Sequence, residues 1–332
     1  MAKRFGYMVP TPNGTVDIMM GPPATDETLA EYAAITAVIT TLQPLVIAMM
    51  ICEQEYAALA ALPVQNGVTF SASTGPVMPS TAVFDFLTSA TRAVAANLAA
   101  GSAFLNQAER IVARLFGKGS PQDLAWNAER RTLHAGSVGY RVMQDLRHYA
   151  QHYGLPVSEV NVQGLRANDA ASMTFTLNIR LTRDHLLRSG FEWRAKRRDD
   201  LNGLSAQFEV LPLAEEYLSC LRTLLLSIVR EFGDQLLACR DYLQTVRRVL
   251  KVPAAGRIFL FDVPAHAVDP EATPPPIAHP QRGEVVPEDQ YSWLLTQLAS
   301  IAPARAVGAD AGVAGNGATG GDDPPAAPGS RG

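Results

Sequence analysis

The chain has 332 residues, of which 47% are apolar and 18% are charged, and its formal net charge is −4. This composition supplies enough apolar material for one large core or two smaller ones. It excludes a chain that is disordered throughout, a disulfide-stapled miniprotein and a collagen-like fibre. The acidic balance of the whole chain does not indicate a nucleic-acid binder, although arginine supplies most of the 28 basic residues.

The cysteines Cys52, Cys220 and Cys239 match neither a disulfide framework nor a metal-binding spacing, so the sequence predicts no metal and no other cofactor. The N-terminus lacks the apolar core of a signal peptide. Residues 34–51 are the most apolar stretch, but polar residues interrupt them and a membrane span needs roughly 20 apolar residues. We predict a buried helix kinked at Pro44, in a cytoplasmic protein that does not enter a membrane.

The first part of the chain predicts an arm followed by a helix. Residues 1–24 are rich in proline and glycine and predict an N-terminal arm that is either irregular or a hairpin, with Asn13-Gly14 as a turn signal. A helix is predicted from Asp26 to about Leu62, because its acidic first turn suits the helix dipole and Pro63 then ends the pattern.

Two more helices and a small sheet follow. The apolar spacing predicts a second helix over 80–116 and a third over 121–153, the latter capped by Ser120. Residues 173–181 alternate strictly between apolar and polar, which predicts a half-buried strand, and residues 157–165 supply its antiparallel partner. The 182–206 stretch reads as a short helix around residues 185–188 and then a polar loop.

A long helix is predicted over about 209–250, because two heptad lines of mostly apolar residues run through it. The lines are Leu211, Leu218, Leu225, Phe232, Cys239 and Val246, and Ala214, Leu221, Ile228, Gln235, Tyr242 and Val249. A seam of this length needs partners along its whole course, as in a helix bundle. Residues 257–263 predict a short strand.

The C-terminal part has a different composition. Residues 264–290 hold seven prolines and predict a linker, and residues 302–332, dominated by glycine and alanine, predict a disordered tail. Between them, residues 291–301 predict a short helix that docks on the body or binds a protein partner. The fold class is therefore mainly α, a four-helix bundle over residues 25–263 with a β insertion at about 157–181.

The end of the third predicted helix has two different faces. At 100° per residue, one face gathers apolar and tyrosine side chains. The opposite face carries cationic and amide side chains and is bordered by a single carboxylate, that of Asp145. Its cationic and amide members are Arg141, Gln144, Arg147, His148, Gln151 and His152.

Arg147-x4-His152, at the end of an amphipathic helix, resembles the R-x4–6-H motif of the HEPN superfamily, in which a polar residue often follows the arginine as His148 does here. The phrase LRHYAQHYGLPV is also similar to the helix end of uncharacterised bacterial proteins. The resemblance implies a helical bundle and a metal-independent ribonuclease in bacterial defence or stress response, with Arg147, His148 and His152 as catalytic candidates. On the same helix face, Arg141, Gln144 and Gln151 then become candidates for binding the RNA. The β insertion and the tail are not part of the HEPN pattern.

The residue types suit such chemistry. His152 can act as general base or acid near neutral pH, and Arg147 can hold a phosphate and stabilise its developing charge. His148 can orient the site or share proton transfer. Arg147 and His152 lie about 140° apart on an ideal helix, so one chain brings them together poorly. HEPN ribonucleases juxtapose two motifs by dimerising, and the resemblance therefore predicts a homodimer.

A structural role is the alternative. Arg147 and the glutamines beside it then pair with acidic residues of another helix, such as Glu53 and Glu55. His152 then only caps the helix C-terminus, where a cation suits the dipole. In that case the protein is a non-catalytic helical scaffold that binds other proteins through its long seam and its tail helix.

Residues 180–198 carry seven basic and two acidic side chains, with Phe191 and Trp193 interleaved. We predict an RNA-backbone or base-stacking patch with the contacts Arg194, Lys196, Arg197 and Arg198. The alternative is a solvated loop whose charges pair locally with Asp199 and Asp200.

Charge is unevenly distributed along the chain. Residues 264–332 hold eight acidic and three basic residues, whereas residues 1–263 hold 24 acidic and 25 basic residues. The acidic total therefore comes from the tail and does not argue against RNA binding by the body. An RNA-binding role requires the basic 180–198 segment to lie beside the polar face of the third helix.

Overall fold

The computed structural model describes residues 2–73, 80–157, 159–166, 173–264 and 282–302. In these ranges the chain is mainly α-helical, as predicted, with small antiparallel sheets. The helices are α1 Asp26–Ser73, α2 Ser80–Phe116, α3 Pro121–Gly136, α4 Val138–His152, α5 Arg183–Arg188, α6 Ala195–Gly203, α7 Val210–Arg230, α8 Gly233–Val249 and α9 Glu288–Ile301. The strands are β1 Ala2–Pro10, β2 Val16–Pro23, β3 Glu159–Arg166, β4 Met173–Thr182, β5 Gln207–Glu209, β6 Arg257–Val263 and β7 Arg282–Val285.

Four helices form the centre of the fold. α1 packs on α2 and α7, and α4 packs on the same two helices from another side. Side chains on their apolar faces are fully buried, such as those of Leu42 and Leu45 of α1, Phe104 of α2, Leu146 of α4 and Leu224 of α7. Burial of such side chains stabilises each by about 1.5–3 kcal/mol, so this shared core holds the bundle together.

The first helix is longer than predicted. α1 continues through Pro63 to Ser73, so the predicted end near Leu62 is wrong. Proline costs one backbone hydrogen bond, but the extra turns bury Phe70 and pack against β4. A Cβ at Gly67 would lie 2.7 Å from the carbonyl oxygen of Phe175, so the glycine permits the close approach of the strand.

Two predicted single helices are each divided. Ser137 separates α3 from α4, because its extended backbone ends one helix and its hydroxyl accepts from the backbone N–H of Tyr140 at 2.9 Å to begin the next. The predicted 209–250 helix breaks at Glu231–Phe232, between α7 and α8. Beyond this break the second heptad line leaves the core, since Val249 is exposed.

Of the two alternatives for the N-terminal arm, the structure shows the hairpin, which belongs to a larger sheet. β1 pairs with β2 and, on its other edge, with β6. The strand β6 was predicted, but its pairing with β1 was not. β7 completes the antiparallel order β2-β1-β6-β7. The predicted 264–290 linker is therefore wrong at its end, where residues 282–285 are a strand because they complete the open edge of β6.

The predicted β insertion is confirmed as the antiparallel pair β3–β4, to which the short β5 adds an edge. The short helix predicted around residues 185–188 is confirmed as α5, whereas the polar loop predicted after it contains α6. The 291–301 helix begins earlier, at Glu288, and packs on α1 and α8. Its Tyr291 hydroxyl donates to the carbonyl of Leu236 at 2.8 Å, so the docking alternative describes its apolar face. The predictions of disorder for 265–281 and 303–332 lie outside the described residues.

Candidate anion-binding site

Five helices converge on a cavity of about 180 Å³. Four arginines line it: Arg130 of α3, Arg147 of α4, Arg194 at the N-cap of α6, and Arg197 of α6. We call it the arginine pocket. Its other lining residues are Ser102, Leu105 and Asn106 of α2, Gln144, Asp145 and His148 of α4, and Tyr217 of α7.

The arginine pocket has an excess of positive charge. Its single lining carboxylate, that of Asp145, lies 3.1 Å from Nε of Arg197. Arg130 lies 3.3 Å from a carboxylate oxygen of Glu109. In the described part of the chain, Arg147 and Arg194 form no ion pair, so two guanidinium groups remain for an anionic ligand.

Arg147 is the most informative of the four. Its Nε is buried and has no hydrogen-bond partner among the described residues. A buried charged donor without an acceptor is costly, and an anion oxygen placed in the cavity would satisfy it. Burial raises the pKa of Tyr217 far above its usual range, whereas Arg147 acts in the opposite direction. The tyrosine wall is therefore neutral and does not compete for the guanidinium.

Two buried ion pairs fasten α6 to α4 and so position the pocket. Arg141 donates from Nη2 to Asp200 at 2.7 Å and from Nη1 to the carbonyl of Ala135 at 2.8 Å. This hydrogen bonding to Asp200 raises the pKa of Arg141. Arg141 was predicted to contact RNA, but its guanidinium is buried and already bonded to Asp200 and to backbone carbonyls. Arg197 and Asp145 form the second pair.

The predicted catalytic residues are only partly brought together. Arg147 and His148 line the arginine pocket, with Gln144 beside them. His152 and Gln151 are exposed at the end of α4 and do not line it. This separation agrees with the helical geometry that predicted a poor fit within one chain.

The structural alternative paired this face of α4 with acidic residues such as Glu53, but Glu53 has a different partner. Glu53 binds Arg222 of α7, with its Oε1 2.6 Å from Nε, rather than a residue of α4. This bond raises the pKa of Arg222.

The basic segment lies beside the polar face of α4, as an RNA-binding role requires, since Arg194 and Arg197 share the pocket with Arg147. Lys196 and Arg198 are exposed on α6 and form no ion pair in the described part of the chain. The solvated-loop alternative is wrong for Asp200, because this side chain binds Arg141 across the α4–α6 contact.

An aromatic cluster adjoins the pocket at the last turn of α4. Tyr149 stacks on Trp193 at 6.0 Å and on Tyr153 at 6.5 Å, and Phe191 meets Tyr153 edge-on at 5.0 Å. Trp193 is buried, and its Nε1 donates to the carbonyl of Leu186 at 3.0 Å. Tyr153 is 52% exposed, so a ligand can reach it, whereas Trp193 is buried.

Several pocket residues were not predicted from the sequence. Arg130, Asn106 and Tyr217 lie on three other helices, and no local spacing links them to α4. Tyr153 does not line the pocket, but a role for it beside the pocket could have been inferred, because it lies four residues after Tyr149 on one helix face.

A second cavity, of about 310 Å³, shares Arg130 and Gln144 with the arginine pocket and is also lined by His134. Burial lowers the pKa of His134, and the positive charges of Arg197, Arg141 and Lys196 lower it further. Burial and these cations therefore disfavour the protonated form of His134.

Among the described residues, no group of three or more histidine, cysteine or acidic side chains could hold a metal ion. The three cysteines are free and buried, and burial raises the pKa of Cys52 to about 12. Comparison of the chain with protein-family models, with curated proteins and with solved structures finds no match.

Proposed function

We propose that the protein binds single-stranded RNA, with one phosphate group in the arginine pocket and a neighbouring base against Tyr153. The observation that carries the proposal is the buried, unpartnered Nε of Arg147 in a cavity lined by four arginines. Arginine is well suited to phosphate because its planar fork of donors matches two phosphate oxygens.

The surroundings of the pocket favour a nucleic acid over a free anion. Tyr153 and Phe191 supply an aromatic surface one turn beyond His148, and sequence-tolerant stacking on such rings stabilises each base by about 1–3 kcal/mol. Lys196 and Arg198 lie on α6 beside Arg197 and can contact flanking phosphates. Single-stranded RNA is favoured because its bases are free to stack on side chains.

Binding of a short fluorescent RNA, followed by anisotropy, tests the proposal. We expect Arg147→Ala and Arg194→Ala each to weaken binding by about tenfold, since a charge-assisted hydrogen bond contributes about 1.5–3 kcal/mol. Arg92→Ala removes the same charge from an exposed position on α2 and serves as the matched control. Binding that is absent, or equally weakened in all three variants, contradicts RNA recognition by the pocket and favours the scaffold alternative.

Metal-independent RNA cleavage is a second proposal, favoured by His148 beside Arg147 in the pocket. A histidine base would take the proton of the ribose 2′-hydroxyl, whose oxygen attacks phosphorus. The 5′-oxygen would leave with a proton from a second acid, giving a 2′,3′-cyclic phosphate and a 5′-hydroxyl. Arg147 would stabilise the negative charge on the phosphorus oxygens.

Incubation with RNA in EDTA separates the roles of the histidines. Loss of cleavage in Arg147→Ala and His148→Ala, with His152→Ala active, would assign the reaction to the pocket of one chain. Loss in all three variants would require His152 from a second chain, as the HEPN resemblance implies. Absence of cleavage by the unchanged protein would leave RNA binding without catalysis. A role in bacterial defence or stress response, in the cytoplasm, stays a prediction.

A further inference from the structure

One face of α1 is exposed and uncharged over most of the helix. Glu53 and Glu55 are the only charged residues of α1 after Glu31, and both are half-buried at the sides of this face. Its exposed members include Pro44, Ile47 and Ile51, with Ile47 41% and Ile51 44% exposed. α1 is long and apolar enough to cross a membrane, and 44% of its most apolar window is buried inside the protein. We expect another molecule to cover the exposed part of this face.

Three glutamines run along the middle of this face. Gln43, Gln54 and Gln65 are spaced by eleven residues, and eleven residues return almost to the same angle of an α-helix. The spacing is symmetric about Gln54. We call the face from Thr40 to Val68 the glutamine stripe.

Side-chain size is also arranged about Gln54. The large side chains Ile47, Met50 and Ile51 precede it, and small ones follow it at the mirror-image positions, 61, 58 and 57, all alanine. If a second α1 lies antiparallel across the stripe with Gln54 at the centre, each residue meets the one whose number makes a sum of 108. Large residues of one chain then meet alanines of the other, and every glutamine meets a glutamine.

We infer that the glutamine stripe is a homodimer interface, in which a second copy of this chain packs its α1 antiparallel around a two-fold axis at Gln54. Isologous packing of one patch on itself is the commonest form of soluble oligomer. Alanines let two helices approach closely, and paired amides fix the register. This inference rests on α1 alone and does not depend on RNA binding.

The dimensions of the stripe fit a reversible dimer. Its 29 residues span about 43 Å at 1.5 Å per residue, and a helix face is roughly 12 Å wide. Two copies together would cover about 1,000 Å², the smallest area expected of a specific interface. We therefore expect dissociation in the micromolar range rather than a permanent dimer.

A lipid surface fits the stripe less well than a second copy does. Three amide side chains in its midline would lose water without gaining partners in hydrocarbon, which is costly for each. Across the two-fold axis the same amides donate to and accept from one another. The absence of exposed cations on the stripe also removes the usual attraction to anionic lipid headgroups.

Oxidative cross-linking of the full chain tests the axis. Gln54→Cys places two thiols at the two-fold axis, and we expect most of the protein to run as a disulfide-linked dimer after mild oxidation. The native cysteines are buried, so the unchanged chain is the background control. No cross-link in Gln54→Cys, together with a monomer in analytical ultracentrifugation at 100 μM, overturns the inference.

The antiparallel register is tested by mixing two variants. Ile47→Cys and Ala61→Cys should cross-link to each other when mixed, but neither alone, since two copies of residue 47 would lie about 21 Å apart. Cross-linking of Ile47→Cys alone would indicate parallel helices and overturn the register.

A charge on the stripe should separate the chains. Ala58→Glu places like charges on both sides of the interface, and we expect a monomer with an unchanged circular dichroism spectrum. Ala33→Glu changes a residue that is exposed on α1 outside the stripe, so this control variant should remain dimeric. Flotation of the unchanged protein with lipid vesicles, abolished by Ala58→Glu, would replace the second copy with a membrane and overturn the inference.

Discussion

Buried ion pairs at single residues hold the candidate site in shape. Arg141 is 5% exposed and Asp200 12% exposed at the α4–α6 contact, and Arg197 and Asp145 are buried beside them. Such a pair contributes little net stability over apolar residues, but removal of one member leaves an unpaired charge in the interior. Their consequence here is positional, because they orient α6 so that Arg194 and Arg197 face Arg147.

Removal of the Asp200 side chain should therefore destabilise the fold. We expect Asp200→Ala to lower the free energy of unfolding by about 3 kcal/mol, because the Arg141 charge remains buried without its partner. Urea denaturation followed by circular dichroism measures the change. Asp241→Ala breaks the exposed pair with Arg240 and is the control, with an expected change below about 0.5 kcal/mol. Equal effects of the two substitutions would contradict the structural role of Asp200.

His134 should make stability depend on pH. Its pKa in the fold is below the ordinary 6.5, chiefly through burial, although Asp145 acts in the opposite direction. The unfolded chain then binds the proton more readily, so the free energy of unfolding should fall as the pH drops below about 6.5. We expect His134→Gln to lose less stability between pH 7.5 and pH 5.5 than the unchanged protein in urea titrations. Parallel losses in the two proteins would show that His134 does not contribute.

At the scale of elements, periodicity identified what local packing determines. The strict alternation of residues 173–181 predicted β4, and the angular pattern at 146–154 predicted the buried Tyr149 and the polar Arg147 side of α4. The breaks at Ser137 and Phe232 were missed, since the apolar residues before and after each break also fit the pattern of one straight helix. The Gly136-Ser137 pair was the available signal, because serine caps helices and glycine ends them.

The contact between α4 and α7 depends on one glycine. A Cβ on Gly139 would lie 2.7 Å from the carbonyl oxygen of Leu213 and 2.7 Å from Oε2 of Glu216. We expect Gly139→Ala to destabilise the fold by about 1–3 kcal/mol, because the two helices must separate. Gly136→Ala has open space around its Cβ and should be neutral or slightly stabilising. Thermal unfolding of both variants measures the difference, and a stable Gly139→Ala protein would contradict the close contact.

At the scale of the whole molecule, the pocket could not be predicted because it is assembled from distant parts of the chain. Arg130, Arg147 and Arg194 come from three helices. Arg147 and Arg194 meet at the contact between α4 and α6, and the strands β3 and β4 separate these two helices along the chain. The RNA-binding hypothesis required the basic segment to lie near α4, and Arg194 and Arg197 do line the same pocket as Arg147. The sequence could not predict which arginines form ion pairs inside the protein, as Arg141 does with Asp200.

The pocket size predicts a preference among RNAs. A cavity of about 180 Å³ accommodates a single phosphate group, and its excess positive charge favours a terminal monoester over an internal diester. We expect RNA with a terminal phosphate to bind several-fold more tightly than the same RNA with hydroxyl ends. Anisotropy titrations of the two RNAs measure this, and Arg147→Ala should abolish the difference while Arg92→Ala preserves it. Equal binding of both RNAs to the unchanged protein would indicate that internal phosphates occupy the pocket, without contradicting RNA binding itself.

The pairing of β1 with β6 imposes an order on synthesis and folding. Met8 pairs with Arg257 and Ala2 with Val263, so about 250 residues separate the two strands in the chain. A ribosome that adds about 5–20 residues per second takes roughly 12–50 s to cover that distance. During this interval the β1–β2 hairpin has an open edge, while the helices between can already pack. The emerging chain therefore has a period in which a chaperone or a neighbouring nascent chain can reach that edge before β6 closes it.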